Sequence, residues 1–133
     1  MEDVIEFINP PELGPRPFPF SRATKAAGLV FVSGHSAPHD PEHGKPRPET
    51  AQGQVRASLA TLDAILKAAG SSLERVVMVT MLIVDPADYN ACNEEYVKHF
   101  PNGLPARHTV RFGVPTDAKV GFSCIALAGE GEA

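Results

Sequence analysis

The chain predicts an α+β domain: a mixed sheet with two helices on one of its faces. Three observations lead there. The elements run strand, strand, helix, strand, helix, strand, strand. Two helices can cover only one face of such a sheet. Yet the strand from Val76 to Val84 is apolar on both faces, as a strand buried on both sides reads. A chain of 133 residues has nothing left to cover the second face, so identical subunits are expected to do so. All of it reads as one domain, residues 1–133.

Each element has a local cause. The start, "MEDVIEFINP", is acidic and lacks a basic stretch followed by an apolar one, so no secretory signal is expected. It belongs to an N-terminal arm of about residues 1–18. "NPPELGPRPFPF" (Asn9 to Phe20) is too rich in proline for a helix or a central strand. An extended arm over the surface is predicted, with Phe18 and Phe20 packing against something. "AGLVFVSG" (Ala27 to Gly34) is a short apolar, β-branched run bounded by glycines, hence a strand. The segment His35 to Pro48 is a loop set by Pro, Gly and Asp, either a lid or a plain connection. Thr50 can cap a helix that reaches about Ala69 and stops at Gly70. Val55, Leu59, Leu62, Leu66 and Ala69 form one apolar stripe along it. After the Val76 strand, Asp85, Pro86 and Asp88 announce a second helix: a cap, a first-turn proline and an acid near the positive end of the dipole. Tyr89, Asn93, Tyr96 and Phe100 share one of its faces. Strands follow from Arg107 to Phe112 and from about Val120 to Ala128.

Composition narrows the class. Hydrophobic residues make up 43% and charged residues 21%, as in globular rather than disordered chains. A net charge of −4, with basic residues scattered among acids, argues against nucleic acid as a partner. No apolar run is long enough to span a bilayer, so no membrane partner is expected and cytoplasm is the expected compartment. Cys92 and Cys124 lack metal or redox spacing and read as free thiols.

The chemistry-bearing candidates are few. Arg107 opens a strand of apolar and β-branched residues. It is an unpaired cation in a core, an exposed strand end, or a cation facing a cavity and waiting for an anion. Its guanidinium offers rigid paired donors that match a carboxylate. The strand period puts Arg107 and Thr109 on one face and His108 on the other. In "FVSGHS", Ser33 and Gly34 end a strand where backbone can approach a ligand closely, and His35 can carry protons near neutral pH or merely be solvated. His35, His39 and His43 recur every four residues, but Pro38 and Pro41 forbid the helix that would make them converge, so no metal site is expected. Neither a GxSxG nucleophile turn nor a phosphate-binding glycine loop is present.

Four stretches, "PFSRATKAAGLVFVSGH", "AGSSLERVVMVTMLIVD", "YNACNEEYVKHF" and "PARHTV", resemble in order and spacing the Rid family of reactive intermediate deaminases, also called the YjgF or UK114 family. The resemblance runs from about Pro19 to Ala128. It implies a chorismate-mutase-like fold assembled as a homotrimer, with the sheets forming a central barrel and clefts between subunits. Such proteins hydrolyse enamines and imines bearing a carboxylate to 2-keto acids and ammonia, without a cofactor. By the resemblance, Arg107 holds the substrate carboxylate and the backbone at Thr109 helps place water. Ser33 and Gly34 line the cleft, with Asn93 a neighbour.

The sequence also departs from the family pattern. Phe20 stands where relatives have Tyr, and His35 where they have Gln. The family's water-orienting acid falls at Gly121 and a neighbouring acid at Ser123, with no substitute before Glu130. Three functions follow as expectations: a deaminase with His35 as proton carrier, a specialised aminomuconate-type deaminase, or a trimeric module that binds small carboxylates without turnover. The ribonuclease activity ascribed to some relatives fits the acidic charge worst.

Overall fold

The computed structural model describes residues 4–129. Eight elements carry the architecture: β1 (Glu6–Ile8), β2 (Ala23–Ala26), β3 (Leu29–Ser36), α1 (Ala51–Ala68), β4 (Val76–Ile83), α2 (Tyr89–Tyr96), β5 (Ala106–Arg111) and β6 (Val120–Leu127). They form one six-stranded sheet in the order β1-β2-β3-β6-β4-β5. It is mixed: β4 and β5 run parallel, and the other pairs are antiparallel. The parallel pair needs a crossover, and α2 is that crossover.

The expected elements are found, and the arm adds one. β1 lies inside it and pairs with β2 through Phe7 and Thr24. Three residues carry no readable period, so only tertiary pairing makes this strand. The proline-rich stretch adds a single 3-10 turn at Pro11–Leu13. One expectation fails within the chain: Phe18 is 85% exposed and packs on nothing. Phe18 and Pro19 sit in a turn closed by the Phe20 amide on the Pro17 carbonyl, and the turn leaves the Phe18 ring in solvent.

Capping works as the residue types predict. The Thr50 hydroxyl accepts from the Gly53 amide at 3.0 Å and starts α1, and Gly70 ends that region with a left-handed φ of +83°. Asp85 caps a 3-10 turn, Pro86–Asp88, which leads into α2.

The core lies between the helices and one sheet face. Val55, Leu59, Leu62 and Leu66 of α1 meet Val79 and Met81 of β4, Phe122 and Ala126 of β6 and Val30 of β3, all fully buried. Cys92, Tyr96 and Phe100 close the α2 side. Both cysteines are free thiols in this core; burial holds the Cys92 thiol up at about 11 and the Cys124 thiol at about 12. The other sheet face stands open in the single chain. Met78, Thr80 and Leu82 of β4 are only half-buried, and Phe7, Phe31, Val110 and Leu127 are exposed.

Hydrogen bonds tie down the end of the loop after β3. Arg47 donates to the Ala37 carbonyl at 2.9 Å and to the carboxylate of Asp117, while Gln54 donates to the Pro48 carbonyl. Among the described residues, no helix is long and apolar enough to cross a membrane.

Candidate functional site

Register decides which side chains meet. In the parallel pair, Arg107 sits opposite Val79 and Thr109 opposite Met81, so both face the helix layer. His108 sits opposite Thr80 on the open face, its Nε2 2.9 Å from the Thr80 hydroxyl. β5 is an edge strand, so Arg107 lies at the rim of the core beneath α2.

α2 supplies its surroundings. The Arg107 guanidinium carbon lies 4.7 Å from the Tyr96 ring centroid and 5.7 Å from that of Tyr89. Arg107 Nη2 donates to the Tyr89 hydroxyl oxygen at 3.2 Å. Ring faces favour a cation electrostatically, by about 0.5–2 kcal/mol depending on desolvation. No carboxylate among the described residues pairs with Arg107. It is therefore a half-buried cation held by aromatic faces, with donors left for an anion.

The polar groups around it are unevenly satisfied. Hydrogen bonding from Asn93, then the charge and hydrogen bond of Arg107, draw the Tyr89 phenol below its usual range. Burial pushes Tyr96 up to about 12. The Asn93 Oδ1 and Tyr96 hydroxyl oxygens are buried without a hydrogen-bond partner. Unpaired buried polar atoms cost roughly 1–3 kcal/mol each, and such orphans mark places where another group belongs.

The single chain leaves the remaining predicted residues elsewhere. Phe20 and Ser33 line a groove of about 760 Å³ with Phe7, Asn9, Arg16 and Phe31. The Ser33 hydroxyl is engaged, donating to the Ser21 carbonyl at 2.7 Å. Gly34 and His35 lie at a register break between β3 and β6. His35 Nε2 approaches the Arg22 carbonyl at 3.4 Å, and burial lowers its pKa. That contact places the ring proton on Nε2 and leaves Nδ1 as an acceptor. β6 and β4 separate β3 from β5, a span of roughly 14 Å across the sheet. Arg107, Thr109 and Asn93 thus form one cluster, and Phe20 and Ser33 another. His39 and His43 face other partners: His39 accepts from the Arg47 amide and His43 pairs with Asp40.

Gly121 is crowded by its neighbours. It is buried in β6 opposite Ser36 and Leu82. A Cβ there would lie 3.1 Å from Phe112 Cε2, 3.1 Å from the Ser36 hydroxyl and 3.3 Å from the His35 carbonyl. A side chain there is crowded by the Phe112 ring and the Ser36 hydroxyl, which would have to give by a few tenths of an ångström. Ser123 pairs with Thr80 on the open face, and Glu130 lies outside the described residues.

Tyr89 and Tyr96 are site residues that sequence reading treats only as a helix face. The signal was available: with Asn93 they recur at spacings of four and three on the helix joining β4 to β5. What the spacing does not tell is that this face covers Arg107.

A mixed sheet with helices on one face, and at its parallel edge an arginine that no described carboxylate pairs with, defines an α+β protein with a candidate anion site. The family model described as Endoribonuclease L-PSP matches residues 15–128, and the chain belongs to this family, the Rid or YjgF/UK114 family. It is 37% identical over 122 residues to 3-aminoacrylate deaminase RutC of Acinetobacter baylyi, covering 91% of this chain and 96% of that one. It is 40% identical over 109 residues to the chloroplastic Reactive Intermediate Deaminase A of Arabidopsis thaliana, covering 81% of this chain but 58% of that protein. The crystal structure of E. coli TdcF with bound serine superposes with a TM-score of 0.79 at 29% identity, over 93% of this chain and 99% of that one.

Proposed function

We propose that this protein is a cofactor-independent deaminase. It hydrolyses imines, and the enamines in equilibrium with them, that carry a carboxylate next to the C=N carbon, releasing a 2-keto acid and ammonia. The observation that carries the reading is Arg107, a half-buried guanidinium with donors free and no acid committed to it. A family that includes named deaminases and a serine-bound member supports a small carboxylate as its ligand.

In this reading Arg107 takes the carboxylate in a two-point clamp. Thr109, two residues along the same face, presents backbone that orients the attacking water, and Asn93 lies beside it. The groove holding Phe20 and Ser33, with Gly34 and His35 next along β3, belongs to the same cleft only when a second subunit brings it there. A homotrimer does this if the open sheet faces join in a central barrel and the helices stay outside. The exposed apolar side chains of that face support the assembly. An imine carbon is already electrophilic, so holding substrate and water in line supplies much of the rate. Cytoplasm remains our reading of its compartment.

The test is an imine hydrolysis assay. An amino-acid oxidase generates 2-imino acids from a panel of amino acids, and semicarbazide traps what survives. Wild type is expected to suppress trapping, and Arg107→Ala to lose about 100-fold or more of that activity. The closed position at Gly121 favours a second reading, a trimeric module that binds carboxylates without turnover. Heat of binding with 2-ketobutyrate in wild type, without hydrolysis of any imine in the panel or of a ring-cleavage enamine, would establish it.

A further inference from the structure

The deaminase reading needs a proton donor for the departing nitrogen, and the inference here rests on that reading and names the donor. We propose that Tyr89 is a catalytic residue of the Arg107 site, its phenol delivering the proton to the substrate nitrogen. Gly121, where the resemblance expects an acid, has no side chain, and the Phe112 ring crowds the position.

The groups around the guanidinium can be compared one by one. From α2, Cys92 and Tyr96 are buried, with thiol and phenol held up at about 11 and about 12. Asp88, before α2, and Lys119, before β6, act on Cys92 through their charges. Glu95 faces away and is engaged by Arg56, Lys98 and His99. From β5 there are Arg107 itself and the hydroxyl of Thr109. Tyr89 alone of these is a titratable donor that is 40% exposed, within reach of a ligand, and in direct contact with Arg107 at 3.2 Å. Its oxygen accepts from Nη2, which leaves the phenol its own proton to donate. The same contact stabilises the phenolate left after transfer, as does hydrogen bonding from Asn93.

The substrate geometry fits. The imine nitrogen is two bonds from the carboxylate carbon, so a carboxylate on Arg107 brings the nitrogen beside the Tyr89 hydroxyl. Water oxygen bonds to the imine carbon, the C=N π electrons move to nitrogen, and nitrogen takes the Tyr89 proton. The phenolate then takes a proton from the added water, giving a carbinolamine. Tyr89 protonates the amine a second time. The C–N bond breaks with its electrons going to nitrogen, ammonia leaves, and the hydroxyl proton returns to the phenolate as C=O forms. Imine and water give keto acid and ammonia, with Tyr89 regenerated and nothing oxidised.

The experiment compares wild type, Tyr89→Phe and His35→Ala in the trapping assay across pH, with 2-ketobutyrate calorimetry and a thermal melt on each. Tyr89→Phe is expected to lose about 100-fold in kcat, in the range usual for a proton-transfer group. It should bind 2-ketobutyrate within about threefold of wild type and lose the alkaline limb of the kcat profile. If Tyr89→Phe keeps wild-type kcat and that limb, Tyr89 is not the donor; if His35→Ala alone abolishes turnover, the proton travels through His35. If wild type binds 2-ketobutyrate but hydrolyses no imine, the deaminase reading fails and this role falls with it.

Discussion

The guanidinium of Arg107 is held by ring faces, whereas those of Arg47 and Arg56 pair with acids. The difference matters because an internal carboxylate would compete with any ligand. Shortening the clamp while keeping the charge is therefore informative. Arg107→Lys should weaken 2-ketobutyrate binding by about tenfold, because a point charge replaces a planar fork; titration calorimetry measures it. Glu95 shows the opposite arrangement. Its carboxylate is 6% exposed and accepts from Arg56 at 3.1 and 3.2 Å and contacts His99 at 2.8 Å. Hydrogen bonding from Arg56, then from His99, holds its pKa down at about 2 against an ordinary value of 4.5. The folded value is the depressed one, so the stabilisation is present above pH 4.5 and is lost as pH falls toward 2. The exposed Arg56 discounts its size to on the order of 1–2 kcal/mol. Urea unfolding at pH 7 and pH 3 should show Glu95→Gln less stable than wild type at pH 7, with the gap narrowed at pH 3.

At the scale of elements, the sheet register explains both what the site has and what it lacks. Gly121 sits where β3, β4 and β6 are packed side by side, and Phe112, just past β5, closes over it. Gly121→Glu is expected to destabilise the fold by about 1–3 kcal/mol through overpacking, read as a lower melting temperature. Adding Phe112→Ala should recover part of that loss, because the ring and the Ser36 hydroxyl are equally near obstructions and the variant removes one of them. Most elements were legible from residue types: the Thr50 cap, the α1 stripe, the β-branched runs and the Asp85 turn each have a local cause. β1 was not, since Glu6–Ile8 is too short to show a period and exists by pairing with β2. The exposure of Phe18 was not either, because packing depends on what another part of the chain, or another chain, brings to it.

For the molecule as a whole, two clusters of predicted site residues lie about three strand spacings apart. If a second subunit unites them, the open face must be an interface. A charge at its centre should then break the assembly: Phe31→Asp is expected to shift the protein from trimer to monomer in light scattering and to reduce imine hydrolysis with it. Phe31 lies on the face away from the helices, opposite Ile125, so the variant spares the core.

The sequence by itself determined the element types, the helix stripe, the face shared by Arg107 and Thr109, and the apolarity of β4 on both sides. These follow from periods of two and of 3.6 and from capping chemistry, which act over a few residues. Only the tertiary structure decided that Tyr89 and Tyr96 stack around Arg107, that Phe112 crowds Gly121, and that Phe20 and Ser33 lie far across the sheet. Each is a nearness or a separation of different segments, set by strand order and register, and no local pattern encodes which segments become neighbours.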